Sequence, residues 1–159
     1  GARVPRLGRG GGGFFGAGSA DDRHVFTGSC GMLLKWDAEN GRVLERIPLG
    51  ATAISVSEDG RALLVGSSDR TAAVLDAETG QKVRSLKGHD DWIMAVAFSP
   101  DGQRPVTGSW AETARACDCA RGRALLRITG RYGHIDGLVL PPDSSRLDTS
   151  RCVSPAQRR

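Results

Sequence analysis

The chain has 159 residues, a formal net charge of +4, 39% hydrophobic and 25% charged residues, which suits one domain and excludes a wholly disordered chain. No run of about 18 apolar residues occurs, so no membrane-spanning helix is expected, and the first thirty residues lack the apolar core of a signal peptide. Basicity sits at the ends, with Arg3, Arg6 and Arg9 near the start and nine arginines against five acids in residues 110–159, whereas a nucleic-acid-binding domain would carry its positive stripe on the ordered face.

In chain order, residues 1–13 read as a flexible Gly/Arg-rich tail containing Gly10 to Gly13. A repeat follows. His24 to Ser29 running to Trp36-Asp37, Ala62 to Ser67 running to Leu75-Asp76, and Arg104 to Ser109 running to Cys117-Asp118 superimpose, with Gly-Ser pairs beginning at 28, 66 and 108. Each closing aspartate precedes a turn dipeptide: Asn40-Gly41, Thr79-Gly80 and Arg121-Gly122. Ser57-Glu58-Asp59-Gly60 matches Ser99-Pro100-Asp101-Gly102, and Ser19-Ala20-Asp21-Asp22 is a weaker copy ahead of the first unit.

Within a unit the pattern is all-β. Ile93, Ala95, Ala97 and Ser99 alternate with Met94, Val96 and Phe98, the period of a strand, and Asp101-Gly102 is a hairpin turn. Further strands are expected at 104–109, 113–118 and 124–129, and in the preceding unit at 52–57, 62–67, 71–76 and 82–86. Four short strands per ~40 residues describe a propeller blade. Units are placed at about 14–50, 51–91 and 92–133, with a partial unit at 134–150 and a disordered basic tail at 151–159. Pro105 falls in a strand flanked on both sides, and because proline removes a ladder donor, a bulge or weak ladder is expected there.

The segment Leu86-Lys87-Gly88-His89-Asp90-Asp91-Trp92 running to Ser99-Pro100-Asp101-Gly102 resembles the WD-repeat family, as do Trp36-Asp37 and Gly66-Ser67-Ser68-Asp69-Arg70-Thr71. The resemblance implies a WD-repeat β-propeller, here an open arc of three to four four-stranded antiparallel blades, with Trp36, Asp37, Asp69, Asp76, His89 and Asp118 as structural motif positions. It also implies, in one blade, a buried network of a Gly-His histidine, a strand-b Ser or Thr, a turn Asp and a strand-c Trp. No unit has all four: the His89 unit has Thr107 but Ala111 and Cys117, the preceding one has Asp69 but Leu75, and the first has Trp36 but Gly31 in the Asp place. A half-built network can leave donors unpaired at roughly 1–3 kcal/mol each.

Other motifs have bland readings. Gly11 to Gly16 satisfies G-x-G-x-x-G, but no strand precedes it and no helix follows, so it reads as tail and not phosphate loop. Cys30, Cys117, Cys119 and Cys152 with His134 have no recognised zinc spacing, and Cys117 reads as a filler of a buried slot. No serine sits in G-x-S-x-G, and His24 begins a strand. One Arg-Gly-Gly and the terminal Arg158-Arg159 fall short of an RNA-binding tail.

Two aromatics stand apart. Trp92 lies in the loop entering the third unit, beside Asp90 and Asp91, and Trp110 in its turn between the second and third strands; Arg70 occupies the corresponding turn one unit earlier. By resemblance these loops open on one face, and Trp and Arg are enriched in binding hot spots. The function expected is a non-catalytic scaffold taking a protein or peptide partner through Arg70, Asp91, Trp92 and Trp110. The alternatives are an accessory or regulatory segment of a larger multidomain enzyme, or a truncated repeat array without independent activity. No catalytic residue, metal, cofactor, specific nucleic acid or membrane is expected; the location expected is cytoplasmic. Because an open arc would bare the apolar flanks of its end sheets, self-association that completes a ring is expected too.

Overall fold

The computed structural model describes residues 15–19, 22–29, 31–118 and 124–129; the tails assigned to 1–13 and 151–159 and the partial unit at 134–150 lie outside them. The described residues contain no helix and form three four-stranded antiparallel sheets, each in sequence order. Blade 1 is β1 (Phe15–Gly18), β2 (His24–Ser29), β3 (Met32–Asp37) and β4 (Val43–Ile47). Blade 2 is β5 (Ala53–Val56), β6 (Ala62–Gly66), β7 (Ala72–Asp76) and β8 (Lys82–Leu86). Blade 3 is β9 (Ile93–Phe98), β10 (Pro105–Ser109), β11 (Thr113–Cys117) and β12 (Ala124–Thr129). The inner strand β5 packs against both β1 and β9.

The repeated residues are turn-makers, and the same bonds recur one blade later. Ser57 Oγ donates to Asp59 Oδ1 at 2.6 Å and accepts from the Ala62 amide at 2.9 Å, while Gly60, at φ 73°, closes the turn onto Ser57 O. Ser99, Asp101, Arg104 and Gly102 repeat that arrangement. The weaker copy holds as well: Ser19 Oγ accepts from the His24 amide at 3.0 Å, and Asp22 takes the left-handed position at φ 56°. On the outer side, Asp37 Oδ1 accepts from the Glu39 and Asn40 amides and Asp76 Oδ1 from those of Glu78 and Thr79. Short carboxylates that bond the backbone two and three residues on favour turns. These bonds also hold the Asp76 carboxyl below its ordinary pKa, the Thr79 amide contributing most.

The middle strands of blade 2 are buried on both faces, so that blade is the wall of two cores. Leu63, Val65, Ala73 and Leu75 face blade 1 and pack with Phe26, Leu33 and Ala51. Leu64, Ala72 and Val74 face blade 3 and pack with Leu86, Ile93 and Cys117. The repeated glycine is set by this stacking. A Cβ on Gly28 would lie 2.5 Å from Ala51 Cβ, and one on Gly66 would lie 2.7 Å from Ile93 Cγ2, so strand glycine here permits close approach of the next blade's entry. Val106, Ala114 and Ala116 have the parity that turns away from blade 2, yet they are 1%, 0% and 7% exposed. The bare apolar flank expected on that side is therefore not observed.

Pro105 sits in a ladder without a bulge of its own. It pairs with Phe98, while the β10–β11 register begins one residue later at Val106↔Ala116. The missing donor shortens that ladder at its end, which gives the weak ladder and not the bulge. The bulges lie elsewhere, at Gly108/Ser109 and at Ala116/Cys117. The second recurs at Lys35/Trp36 and Val74/Leu75, so it belongs to the repeat.

Candidate protein-interaction face

Loops entering each blade and turns joining its second and third strands share one end of the sheets. The Thr52 amide donates to Gly66 O at 2.8 Å, the Ile93 amide to Ser67 O at 3.2 Å and the Trp110 amide to Trp92 O at 3.0 Å. Each turn uses one residue at positive φ: Gly31 at 92°, Arg70 at 73° and Glu112 at 58°. These three are equivalent, since each stands two residues before the partner of the strand glycine, in the pairs Gly28↔Leu33, Gly66↔Ala72 and Gly108↔Ala114. The turn of blade 1 is one residue shorter, so Gly31 corresponds to Arg70 and is not in the Asp place.

In blade 2, Asp69 Oδ1 accepts from the Thr71 amide at 2.8 Å and the Thr71 hydroxyl at 2.6 Å. Burial works to raise the Asp69 pKa, but the bonds from Thr71 and Ser67 outweigh it and lower the value. In blade 3, Ser109 Oγ accepts from the Ala111 amide and donates to Asp91 O at 3.1 Å. That bond ties the turn to the entering loop, and Asp91 Oδ1 accepts from the Trp92 amide at 2.7 Å. The two indoles consequently meet: Trp92 and Trp110 stack with centroids 5.5 Å apart and planes 2° from parallel, and they are 46% and 40% exposed. Trp92 packs neither under its loop nor alone; it packs on Trp110. Arg70 is exposed on the neighbouring turn. Asp90 approaches Arg127 at 3.9 Å in an exposed pair of the kind worth little.

Beneath the loop lies the histidine. His89 is 8% exposed, with Nε2 2.6 Å from Thr107 Oγ1 and Nδ1 3.1 Å from Thr113 Oγ1. Thr113 takes the partnership that the family pattern gives to an aspartate, a substitution the sequence reading missed although Thr113 lies at the next position but one after Ala111. Burial first, then the nearby Arg115 cation, push the His89 pKa down to about 4, against the pull of Asp90. Arg115 Nε is buried without a hydrogen-bond partner among the described residues. The other motif fragments are separate: Trp36 Nε1 donates to Thr27 Oγ1 at 2.7 Å in blade 1, and blade 2 has Val65 and Leu75 in the corresponding core. Cys117 is a buried thiol in the core between blades 2 and 3. Asp118 follows it at the end of β11, while Cys119, Cys152 and His134 lie outside the described residues. No group of three or more His, Cys, Asp or Glu among the described residues is arranged to hold a metal.

The family model described as WD domain, G-beta repeat, matches residues 80–118. Among solved structures, "Structure of U3-55K" and "Crystal structure of RRP9 WD40 repeats" each align with a TM-score of 0.75 at 20% identity over 83% of this chain. The chain spans 44% and 43% of the length of those two. A search of curated protein sequences gives no match. At this identity the structures show the fold alone: the three sheets are arranged as propeller blades, and the repeat model matches the segment from 80 to 118.

Proposed function

We propose, from the premise that the chain carries WD-repeat blades, that it is a non-catalytic scaffold taking a protein or peptide partner on the face that carries Trp92 and Trp110. The observation behind this reading is the exposed, stacked indole pair. Two large apolar rings left in water on a pinned loop cost hydration without filling a core, and aromatic anchors held rigid before contact are typical of binding hot spots. The pair is specific to blade 3, because the position of Trp110 holds Ser68 in blade 2. Arg70 and Asp91 flank the anchor: Arg70 with an exposed guanidinium, Asp91 mainly as the carboxylate that holds the Trp92 amide.

Trp110→Ser copies the blade 2 turn and so keeps the backbone. It is expected to reduce capture of a partner at least tenfold, with an unchanged far-UV spectrum. Binding that survives Trp110→Ser and Trp92→Ala but is lost on altering the Asp59-Gly60 or Asp101-Gly102 turns would place the partner on the opposite face and overturn the proposal.

A further inference from the structure

On the end of the sheets away from the indole pair, a half-open cavity of about 580 Å³ lies between blades 1 and 2. Its floor carries a misplaced residue. The bulge register makes Lys35 equivalent to Val74 and Ala116, positions that point toward the next blade and are aliphatic in blades 2 and 3. Lys35 is nonetheless 6% exposed, with Nζ donating to the Glu78 carbonyl at 3.0 Å. No carboxylate lies within ion-pair distance of that ammonium among the described residues. Asp76 is near enough for the Lys35 charge to help lower its pKa, after the bonds from the Thr79 and Glu78 amides, but its Oδ1 is taken by those amides at 3.0 and 2.9 Å. A buried cation is costly unless an anion faces it.

The cavity gathers further donors from both blades. Arg23 comes from the β1–β2 turn of blade 1, which Ser19 pins, His24 from the start of β2, and Arg61 from the β5–β6 turn of blade 2, which Ser57 and Asp59 pin. Asp76 and Glu78 line it too, Glu78 as an exposed residue on the blade 2 side. The volume is that of a small-molecule site. The geometry points to a binding site for a small anionic ligand, one presenting a phosphate or clustered carboxylates, with Lys35 at its base and Arg61, Arg23 and His24 around the oxyanion. This site is independent of the indole face.

Titration of the purified chain with inorganic phosphate and, separately, with citrate tests it, followed by thermal shift and calorimetry at ionic strength held constant with sodium chloride. A saturable response to at least one probe is expected, weakened tenfold or more in both Lys35→Met and Arg61→Ser. Lys35→Met restores the aliphatic character of Val74 at this position, and Arg61→Ser changes an exposed turn residue, so at least one variant keeps the fold. Phosphate without citrate assigns a phosphate ligand, citrate without phosphate a carboxylate ligand, and both support the shared chemistry. No saturable response to either, or equal affinity in the variants and the parent, overturns the site.

Discussion

The stacking of blades through a glycine can be tested by moving one methyl group from one blade to the next. In Gly28→Ala, the new Cβ would stand 2.5 Å from Ala51 Cβ and 3.2 Å from Ile54 Cδ1, against about 3.5–4.0 Å for relaxed carbon contacts. Ala51 Cβ is rigid with its backbone and only 6% exposed, so no rotamer relieves the clash and the strand entry must move by about 1 Å. Overpacking of this kind costs roughly 1–3 kcal/mol. The gain from removing glycine freedom in the unfolded chain returns about 0.5–1 kcal/mol, which leaves a net loss of about 1–2 kcal/mol. Adding Ala51→Gly removes the atom that is struck, so the double variant should recover most of the clash and keep only the roughly 0.5–1 kcal/mol cost of the new glycine. Urea unfolding at fixed protein concentration measures this through the midpoint, with an unchanged slope. Gly18→Ala, whose added Cβ meets nothing within 4 Å, is the control and should be neutral or slightly stabilising. A Gly28→Ala variant as stable as that control, or no recovery in the double variant, refutes the argument that blade contact dictates the repeat glycine.

Three further outcomes are expected. The His89 pKa is lowered from 6.5 to about 4 in the fold, so the unfolded state binds more protons between those values and stability is lost as pH falls from 6.5 toward 4; a shift of that size is worth about 3 kcal/mol in full, of which about 2 falls between pH 7 and 4.5. Urea midpoints at pH 7 and 4.5 should show that loss in the parent and not in His89→Asn, and an identical slope in the two proteins would rule His89 out as its source. For the indole pair, Trp110→Ser should alter Trp92 fluorescence and increase its access to an aqueous quencher; unchanged emission would mean that the rings do not stack in solution. Light scattering should show a species heavier than one 16.8 kDa chain, since blade 1 leaves Trp36 and Leu34 half-buried on the side away from blade 2; a monodisperse monomer with a cooperative melt would end the ring-completion proposal.

Blade architecture was legible in the residues because strand alternation, Ser-x-Asp-Gly turns and the closing aspartates are local devices whose partners lie within five residues. Ser57, Asp59 and Gly60 make their turn with one another, and a period of 38 to 42 residues repeats these devices along the chain. The proposed interaction face was legible in part: Trp92 and Trp110 could be placed on neighbouring loops by register, but their stacking needed the Trp110–Trp92 backbone bond and the Ser109–Asp91 tie. Three features were decided by tertiary structure. Thr113 replaced the aspartate beside His89 because a hydroxyl two residues away in sequence reaches the same ring nitrogen. Of the bulge or weak ladder expected at Pro105 the structure has the shortened ladder, since the missing donor falls at a ladder end where pairing can begin one residue later. Lys35 was not singled out by the sequence. Sequence position alone does not tell which face of a middle strand meets the next blade, and only the packing of Leu33 against blade 2 turned its neighbour's charge into the floor of a cavity.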